Sequence, residues 1–130
     1  MGQIRVLIAD DHEGILDEIR GLLEPEFNVV GVVGDGQALI SAADEFQPDV
    51  IITDISMPRM NGIEAARLII QKNPASRIIL LTAYNDSALL QQGLSAGALG
   101  YVLKLKADEE LSLAIHYALE DHRFVSPEVS

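Results

Sequence analysis

The sequence predicts an α/β fold in which a parallel β-sheet is covered on both faces by helices. Five short β-branched runs alternate strictly with five stretches of helical periodicity, and three of the runs are apolar at nearly every position. Strict alternation implies right-handed crossovers between parallel strands. Strands that are apolar throughout are typical of a parallel sheet buried on both faces.

The strands are predicted from short runs rich in valine, isoleucine and leucine. In chain order they cover residues 4–8, 29–33, 50–53, 77–81 and 100–103.

Apolar stripes at helical spacing predict the five helices between and after these strands. Pro25 ends the first helix, Asp35 caps the second, and the third ends before Pro74. Residues 88–96 form a short fourth helix rich in small residues, and the acidic turn 108–110 begins the fifth. The stripe residues of the other four helices are Ile15, Ile19, Leu22 and Leu23, then Ala38, Ala42 and Phe46, then Ile63, Ala66, Ile69 and Ile70, and finally Leu111, Ile115, Ala118 and Leu119.

Among doubly wound arrangements, five strands in a short chain favour the flavodoxin-like order 2-1-3-4-5, a three-layer sandwich. A chain of 130 residues fits one domain. We place that domain at residues 1–124 and interpret residues 125–130 as the start of a connector.

The composition excludes several classes of protein. The net charge of −11 would repel a phosphate backbone, so direct contact with nucleic acid is not expected from this segment. The chain lacks cysteine, a signal-peptide pattern and any apolar run near the roughly 18–20 residues of a membrane span. We therefore expect no membrane association, and the cytoplasm is the default location.

Polar residues stand at the carboxyl ends of the apolar strands. Asp10 and Asp11 follow the first strand, Asp54 follows the third, Thr82 ends the fourth and Lys104 follows the fifth. Each alone has an ordinary structural explanation, such as a helix cap or a solvated charge. In a doubly wound sheet, however, this edge is where ligands bind. Their coincidence predicts a functional site.

The residue types indicate phosphoryl chemistry. Three clustered carboxylates are costly unless a cation neutralises them, and oxygen ligands favour a hard ion such as Mg²⁺, with Mn²⁺ as a substitute. Lys104 adds a second positive charge and Thr82 offers a hydroxyl. A carboxylate nucleophile, a metal, a lysine and a hydroxyl are the groups needed to receive a phosphoryl group, with Asp54 attacking in line.

The chain resembles the receiver domains of two-component response regulators over essentially its whole length. The resemblance is carried by four segments: VLIADDH at 6–12, DVIITDISMPRMNG at 49–62, LTA at 81–83 and GALGYVLK at 97–104. It implies that Asp54 takes the phosphoryl group from a histidine of a sensor kinase. Such a domain is a switch that phosphorylates and dephosphorylates itself, not an enzyme acting on other molecules.

The resemblance also implies roles for the neighbouring residues. Asp11 and Asp54 would bind Mg²⁺ directly, Asp10 directly or through water, and the backbone carbonyl of Ser56 would complete the protein ligands. Lys104 would contact the phosphoryl oxygens. Thr82 would move towards them, with Tyr101 changing rotamer in concert, so that the surface of the fourth helix, fifth strand and fifth helix is altered.

One departure from the pattern of receiver domains points to a subfamily. Many receivers have proline after the lysine, whereas this chain has Leu105. Members of the NarL/FixJ subfamily, which carry a LuxR-type helix-turn-helix, often lack that proline, and the ending FVSPEV at 124–129 is similar to theirs. The resemblance thus implies a DNA-binding domain after residue 130, and homodimerisation on phosphorylation is expected of the family.

Other polar residues near the site are assigned lesser roles. His12 is interpreted as an exposed residue at a helix start, not a metal ligand, and His116 and His122 as solvated surface residues. Ser56 and Tyr84 flank the site and are expected to tune the access of hydrolytic water. Tyr101 is either a core aromatic residue or, as the resemblance implies, part of the switch.

Three other functions fit the sequence less well. A haloacid-dehalogenase-like phosphatase also uses an aspartyl nucleophile, but in an Asp-x-Asp motif after the first strand, whereas Asp54 is followed by Ile55 and Ser56. A flavodoxin-like cofactor module needs a phosphate-binding loop after strand one, where this chain has acidic residues. A phosphorylation-independent interaction domain would not need all five site residues.

Overall fold

The computed structural model describes residues 3–129, which form alternating strands and helices. The elements are β1 (Arg5–Ala9), α1 (Glu13–Leu23), β2 (Asn28–Val33), α2 (Gly36–Phe46), β3 (Val50–Thr53), α3 (Gly62–Lys72), β4 (Ile78–Thr82), α4 (Ser87–Ala96), β5 (Gly100–Leu103), a 3₁₀ turn (Lys104–Lys106), α5 (Ala107–Leu119) and β6 (Phe124–Val125).

The sheet order is β2-β1-β3-β4-β5-β6, and every neighbouring pair of strands is parallel. The predicted flavodoxin-like order 2-1-3-4-5 is confirmed. The structure adds the short strand β6 at the edge beside β5. Because the strands are parallel, their carboxyl ends meet along one edge of the sheet, where the polar residues stand.

The three-layer arrangement is confirmed by two hydrophobic cores, one on each face of the sheet. The first lies under α2, α3 and α4 and contains Leu39, Ile69 and Leu90. The second lies under α1 and α5 and contains Leu23 and Ile115. Strands β3, β4 and β5 are buried along their whole length because helices cover both faces.

Short polar side chains begin three of the helices. The side chain of Asp35 accepts the N–H of Ala38 at 2.8 Å, which confirms the predicted cap of α2. Asn61 caps α3 in the same way, and Asp86 caps α4. Helix α1 ends at Leu23, before Pro25, as the sequence predicts.

The carboxyl-terminal segment packs on the sheet. The sequence predicts that the domain ends at residue 124 and that a connector starts at residue 125, and the structure describes the first residues of that segment up to Val129. In the structure Val125 pairs with Tyr101, Ser126 is fully buried, and Val129 packs against the first core. The packed domain therefore extends at least to Val129, because an exposed edge of β5 offered backbone groups for another strand to pair with.

Among residues 3–129, the structure contains no helix long and apolar enough to cross a membrane.

Candidate functional site

Two buried carboxylates lie side by side at the carboxyl edge of the sheet. Asp10 follows β1 and Asp54 follows β3, and the preceding residues Ala9 and Thr53 are paired across these neighbouring strands. Asp10 is 1% exposed and Asp54 is 4% exposed. The N–H of Asp54 donates to the carbonyl of Ala9 at 2.9 Å, which fixes the backbone of the two acids relative to one another.

Each of these carboxylates has one oxygen bound by a backbone amide and the other facing Lys104. Oδ1 of Asp10 accepts the N–H of His12 at 2.9 Å, and Oδ1 of Asp54 accepts the N–H of Ile55 at 2.8 Å. Nζ of Lys104 lies 2.9 Å from Oδ2 of Asp10 and 3.2 Å from Oδ2 of Asp54. Two buried negative charges thus share one ammonium group.

The remaining negative charge makes the cluster a candidate metal site. Ligand atoms of Asp10, Asp11, His12 and Asp54 all lie within 4.8 Å of one another. Within the described chain, the buried Oδ2 of Asp10 receives no well-aligned hydrogen bond, although Nζ of Lys104 lies 2.9 Å away as an ion-pair partner. A buried carboxylate oxygen without a directed donor, among further carboxylates, fits a hard divalent cation.

Burial and neighbouring charges shift the pKa values of Asp54 and Lys104. Burial raises the pKa of Asp54, opposed by the positive charge of Lys104 and reinforced by the negative charge of Asp10. Burial alone would lower the pKa of Lys104, but the contact with Asp10 and the charges of Asp54 and Asp10 outweigh it, and the pKa is raised. Lys104 therefore stays protonated, and positively charged, at neutral pH.

The loop after β3 is held close to Asp54. A Cβ at Gly62 would lie 1.9 Å from the carbonyl oxygen of Asp54, so only glycine fits at this start of α3. Arg59 has a left-handed backbone with φ of 66°, and its guanidinium donates to Asp35 at 2.8 Å. Asp35 also caps α2, so one carboxylate ties this loop to the neighbouring helix.

Hydroxyl groups are also found near the carboxyl edge of the sheet, where β4 ends. Thr82 is fully buried, and its Oγ1 accepts the N–H of Tyr84 at 3.1 Å. The hydroxyl of Tyr101, which is also buried, donates to the carbonyl of Tyr84 at 2.7 Å. Burial, with the nearby charge of Asp86, raises the pKa of Tyr101 to about 12, so this hydroxyl remains a donor. Thr82 and Tyr101 therefore bind the two backbone groups of Tyr84, its N–H and its carbonyl.

Comparison with models of protein families identifies the domain to which this site belongs. The model of the response regulator receiver domain matches residues 6–116. The chain belongs to this family. The receiver domain thus includes β1 to α5, with all of Asp10, Asp11, Asp54, Thr82 and Lys104 inside the matched range.

Relatives of this receiver domain include transcription regulators. It is 33% identical over 130 residues to the transcriptional regulatory protein DegU of Brevibacillus brevis, covering 98% of this chain and 55% of that protein. The chain therefore spans little more than half the length of that relative.

Solved structures have the same fold. A two-component response regulator of the LuxR family from Aurantimonas sp. SI85-9A1 matches with a TM-score of 0.94 and 34% identity, over 98% of this chain and 93% of that one. The isolated receiver domain of RcsB from Salmonella enterica serovar Typhimurium, solved with the phosphomimetic BeF₃⁻, matches with a TM-score of 0.88 and 35% identity, over 98% and 96%. The LuxR-family relative agrees with the resemblance found in the sequence.

The structure of the receiver domain brings most of the predicted site residues together. Asp10, Asp54 and Lys104 are in contact, and Asp11 contributes to the same cluster. Thr82 and Tyr101 meet at the backbone of Tyr84. The individual roles in phosphorylation, including metal binding by the carbonyl of Ser56, stay predictions.

The two expected tuning residues, Ser56 and Tyr84, contact one another. The hydroxyl of Ser56 donates to the phenol oxygen of Tyr84 at 3.3 Å, across the carboxyl edge of the sheet. Tyr84 is 48% exposed, so this contact is open to solvent. Their effect on hydrolysis stays a prediction.

Two histidines of the receiver domain make contacts that the sequence does not predict. His12 is exposed at the start of α1, as expected, but its Nδ1 also lies 3.1 Å from Asp10 and 3.0 Å from Asp11. His116 is half exposed, and its Nε2 lies 2.6 Å from Glu26. The contacts of His12 could have been predicted, because His12 directly follows Asp10 and Asp11 in the sequence. The contact of His116 with Glu26 spans 90 residues, so no local signal indicates it.

Proposed function

We propose that this receiver domain accepts a phosphoryl group on Asp54 from a sensor histidine kinase and thereby switches an output. The observation that carries the proposal is the shared ammonium group: Nζ of Lys104 lies 2.9 Å from Asp10 and 3.2 Å from Asp54. A buried acid between a cation and a cluster of further acids is an arrangement suited to gaining a phosphoryl group.

Asp54 is the nucleophile in this proposal. Its Oδ1 is engaged by the amide of Ile55, which leaves Oδ2, the oxygen beside Lys104, to attack phosphorus. A new bond forms between Oδ2 and phosphorus while the bond to the donor histidine nitrogen breaks, and the nitrogen keeps that electron pair. Lys104 then neutralises an oxygen of the transferred group, since its ammonium is already within hydrogen-bond distance of the attacking atom.

The metal in this proposal is Mg²⁺, with Mn²⁺ as a substitute. Asp10, Asp11 and Asp54, with the backbone carbonyl of Ser56, would hold it, and the clustered ligand atoms and the poorly paired Oδ2 of Asp10 support this assignment. When bound, the ion offsets the negative charge of the carboxylates and of the transferring group.

The switch is assigned to Thr82 and Tyr101. Thr82 accepts from the amide of Tyr84 and Tyr101 donates to its carbonyl. If the hydroxyl of Thr82 turns to a phosphoryl oxygen, the amide of Tyr84 loses its acceptor, and the loop that holds Tyr101 must rearrange. That change would reach the surface formed by α4, β5 and α5.

The output and partners follow from the relatives. We assign transcription control to the whole protein, through a DNA-binding domain beyond residue 130, since relatives such as DegU are transcriptional regulatory proteins. Homodimerisation on phosphorylation and a cytoplasmic location belong to the same proposal. The domain acts on its own phosphoryl group and has no other substrate.

Phosphorylation by a small donor tests this function. The purified domain is incubated with acetyl phosphate and Mg²⁺, and the intact mass is measured for the wild type, Asp54→Asn and Asp44→Asn. Asp44 is a matched control because it is an exposed acid in a surface pair with Lys72. We expect one phosphoryl group on the wild type and on Asp44→Asn, and none on Asp54→Asn or after chelation of the metal. Equal labelling of Asp54→Asn would overturn the proposal.

A further inference from the structure

A buried serine lies just after β6, outside the range matched by the family model. Ser126 is 0% exposed although the next two residues, Pro127 and Glu128, are exposed. Its N–H donates to the carbonyl of Tyr101 at 2.8 Å, which adds one more hydrogen bond to the pairing of β6 with β5. The side chain is thus directed inward at the end of the sheet that carries the site.

The hydroxyl of Ser126 completes the end of β5. The amide of Leu103 donates to Oγ of Ser126 at 3.0 Å. Leu103 is the last residue of β5 and directly precedes Lys104. The hydroxyl therefore takes the place of a backbone carbonyl from a longer β6, and without it a buried N–H would lack an acceptor.

The orientation of that hydroxyl is fixed from the other side by α5. Oγ of Ser126 donates to Oε1 of Glu110, a half-buried residue in the first turns of α5. A serine hydroxyl has one proton, so donation to Glu110 leaves its lone pairs for the amide of Leu103. The three groups form a chain from α5 through Ser126 to the residue before Lys104.

The segment after Ser126 contacts both loops beside the site. The side chain of Asn85, next to Tyr84, donates to the carbonyl of Glu128 at 2.9 Å. The carboxylate of Glu128 lies 3.2 Å from Nζ of Lys106, in the 3₁₀ turn that also contains Lys104. These contacts place the segment across the ends of β4 and β5 at once.

We propose that Ser126, oriented by Glu110, is a positioning residue for Lys104 in phosphoryl transfer. The inference rests on the proposed function of Asp54 and Lys104. Ser126 touches neither the carboxylates nor the transferred group. It acts by fixing the backbone from which Lys104 reaches Asp10 and Asp54, so its loss changes how well Lys104 meets a phosphoryl oxygen without changing the carboxylates that hold the metal.

Beryllofluoride binding, followed by ¹⁹F NMR at saturating Mg²⁺, tests this role in the 130-residue chain. We expect Ser126→Ala and Glu110→Ala to weaken beryllofluoride binding by about five- to tenfold, since each loses a hydrogen bond at a buried group. Glu110→Gln keeps an acceptor and should remain close to the wild type. Ser112→Ala is the matched control, because that hydroxyl lies on α5 too but donates to Glu26.

Affinity for Mg²⁺ without beryllofluoride separates positioning from a merely structural role. We expect no loss of Mg²⁺ affinity in any of the four variants, measured well below the melting temperature of each. Wild-type beryllofluoride affinity in both Ser126→Ala and Glu110→Ala would overturn the inference, as would an equal loss of Mg²⁺ and beryllofluoride binding. If Ser126→Ala does not fold, Glu110→Ala against Glu110→Gln decides the question.

The proposed function can fail separately. If the wild-type domain itself does not bind beryllofluoride with Mg²⁺, the function assigned to Asp54 is wrong and the inference falls with it. If the wild type binds and the variants bind equally well, only the role of Ser126 is wrong.

Discussion

Nζ of Lys104 lies 3.2 Å from Oδ2 of Asp54, although the two residues are 50 positions apart in the chain. The contact exists because β3 and β5, on either side of β4, end at the same edge of a parallel sheet. The same ammonium group also contacts Asp10 at 2.9 Å. Lys104 is thus the only cation placed between the two buried acids in the described part of the chain, which leads to a first prediction.

Replacing Lys104 should change metal and phosphoryl-analogue binding in opposite directions. The ammonium group of Lys104 repels Mg²⁺ and contacts the carboxylates that would bind the ion. Lys104→Ala removes this group, so we expect Mg²⁺ to bind about 3- to 10-fold more tightly. Beryllofluoride should bind at least about tenfold more weakly, because an oxygen or fluorine atom loses its cationic partner. Calorimetric titrations measure both. Lys72→Ala, on the surface of α3, is the control, and a loss of both affinities in Lys104→Ala would count against this account.

Asp54 should destabilise the metal-free fold as pH rises. Its pKa is raised in the folded state, mainly by burial, from an ordinary value of 3.8. Folding is therefore most favoured when Asp54 is protonated, and stability is lost as pH rises from about 3.8 through the raised pKa. Asp54→Asn is neutral at every pH, so its melting temperature should exceed that of the wild type at pH 7.

The difference between Asp54→Asn and the wild type should shrink as pH falls towards 3.8. Thermal melts in the presence of a metal chelator measure it. Asp44→Asn loses only a surface ion pair and should stay within about 0.5 kcal/mol of the wild type. A wild type that melts above Asp54→Asn at pH 7 would show that burial does not dominate the pKa of Asp54.

Gly62 should not tolerate a methyl group. A Cβ there would lie 1.9 Å from the carbonyl oxygen of Asp54, so Gly62→Ala must displace either α3 or the backbone of Asp54. We expect a loss of about 1–3 kcal/mol in unfolding free energy. Gly21→Ala, in α1 with no neighbouring atom within 4 Å of the added carbon, should instead gain about 0.5–1 kcal/mol. Chemical denaturation of both variants checks the pair, and equal effects would contradict the close approach at Gly62.

Tyr101→Phe should loosen the loop after β4 without disrupting the carboxylates. The substitution leaves the carbonyl of Tyr84 without the hydroxyl that now donates to it at 2.7 Å. We expect a loss of roughly 1 kcal/mol and faster hydrogen exchange over residues 83–86. Mg²⁺ affinity without beryllofluoride should stay near the wild-type value, because the hydroxyl of Tyr101 bonds to the carbonyl of Tyr84 and not to a carboxylate. Unchanged exchange in that loop would show that the hydroxyl does not restrain it.

The sequence was sufficient to predict the sheet and most of the site for a simple physical reason. Parallel strands align their carboxyl ends, so a polar residue after each apolar run has to fall on one edge. Asp10, Asp54, Thr82 and Lys104 could be grouped in this way from spacing alone. The helix boundaries were also predictable where a local signal exists, as at Asp35 and Pro25.

The contacts of β6 were not predictable in this way. A strand of two residues has no measurable periodicity, and its stability comes from pairing with an edge that exists only in the folded sheet. Ser126 therefore resembled the start of a connector, although the fold buries it completely. The orientation of Tyr101 was similarly hidden, because its hydroxyl finds its acceptor on a loop 17 residues away.

The most direct test of the central claim is to locate the phosphorylated residue chemically. An acyl phosphate formed with acetyl phosphate and Mg²⁺ is reduced by borohydride, which leaves homoserine in place of the modified aspartate, and the position is then found by peptide mass spectrometry. The account predicts homoserine at position 54 alone. Homoserine at position 10 or 11 with none at position 54, or no reduced residue in a protein that binds Mg²⁺, would contradict it.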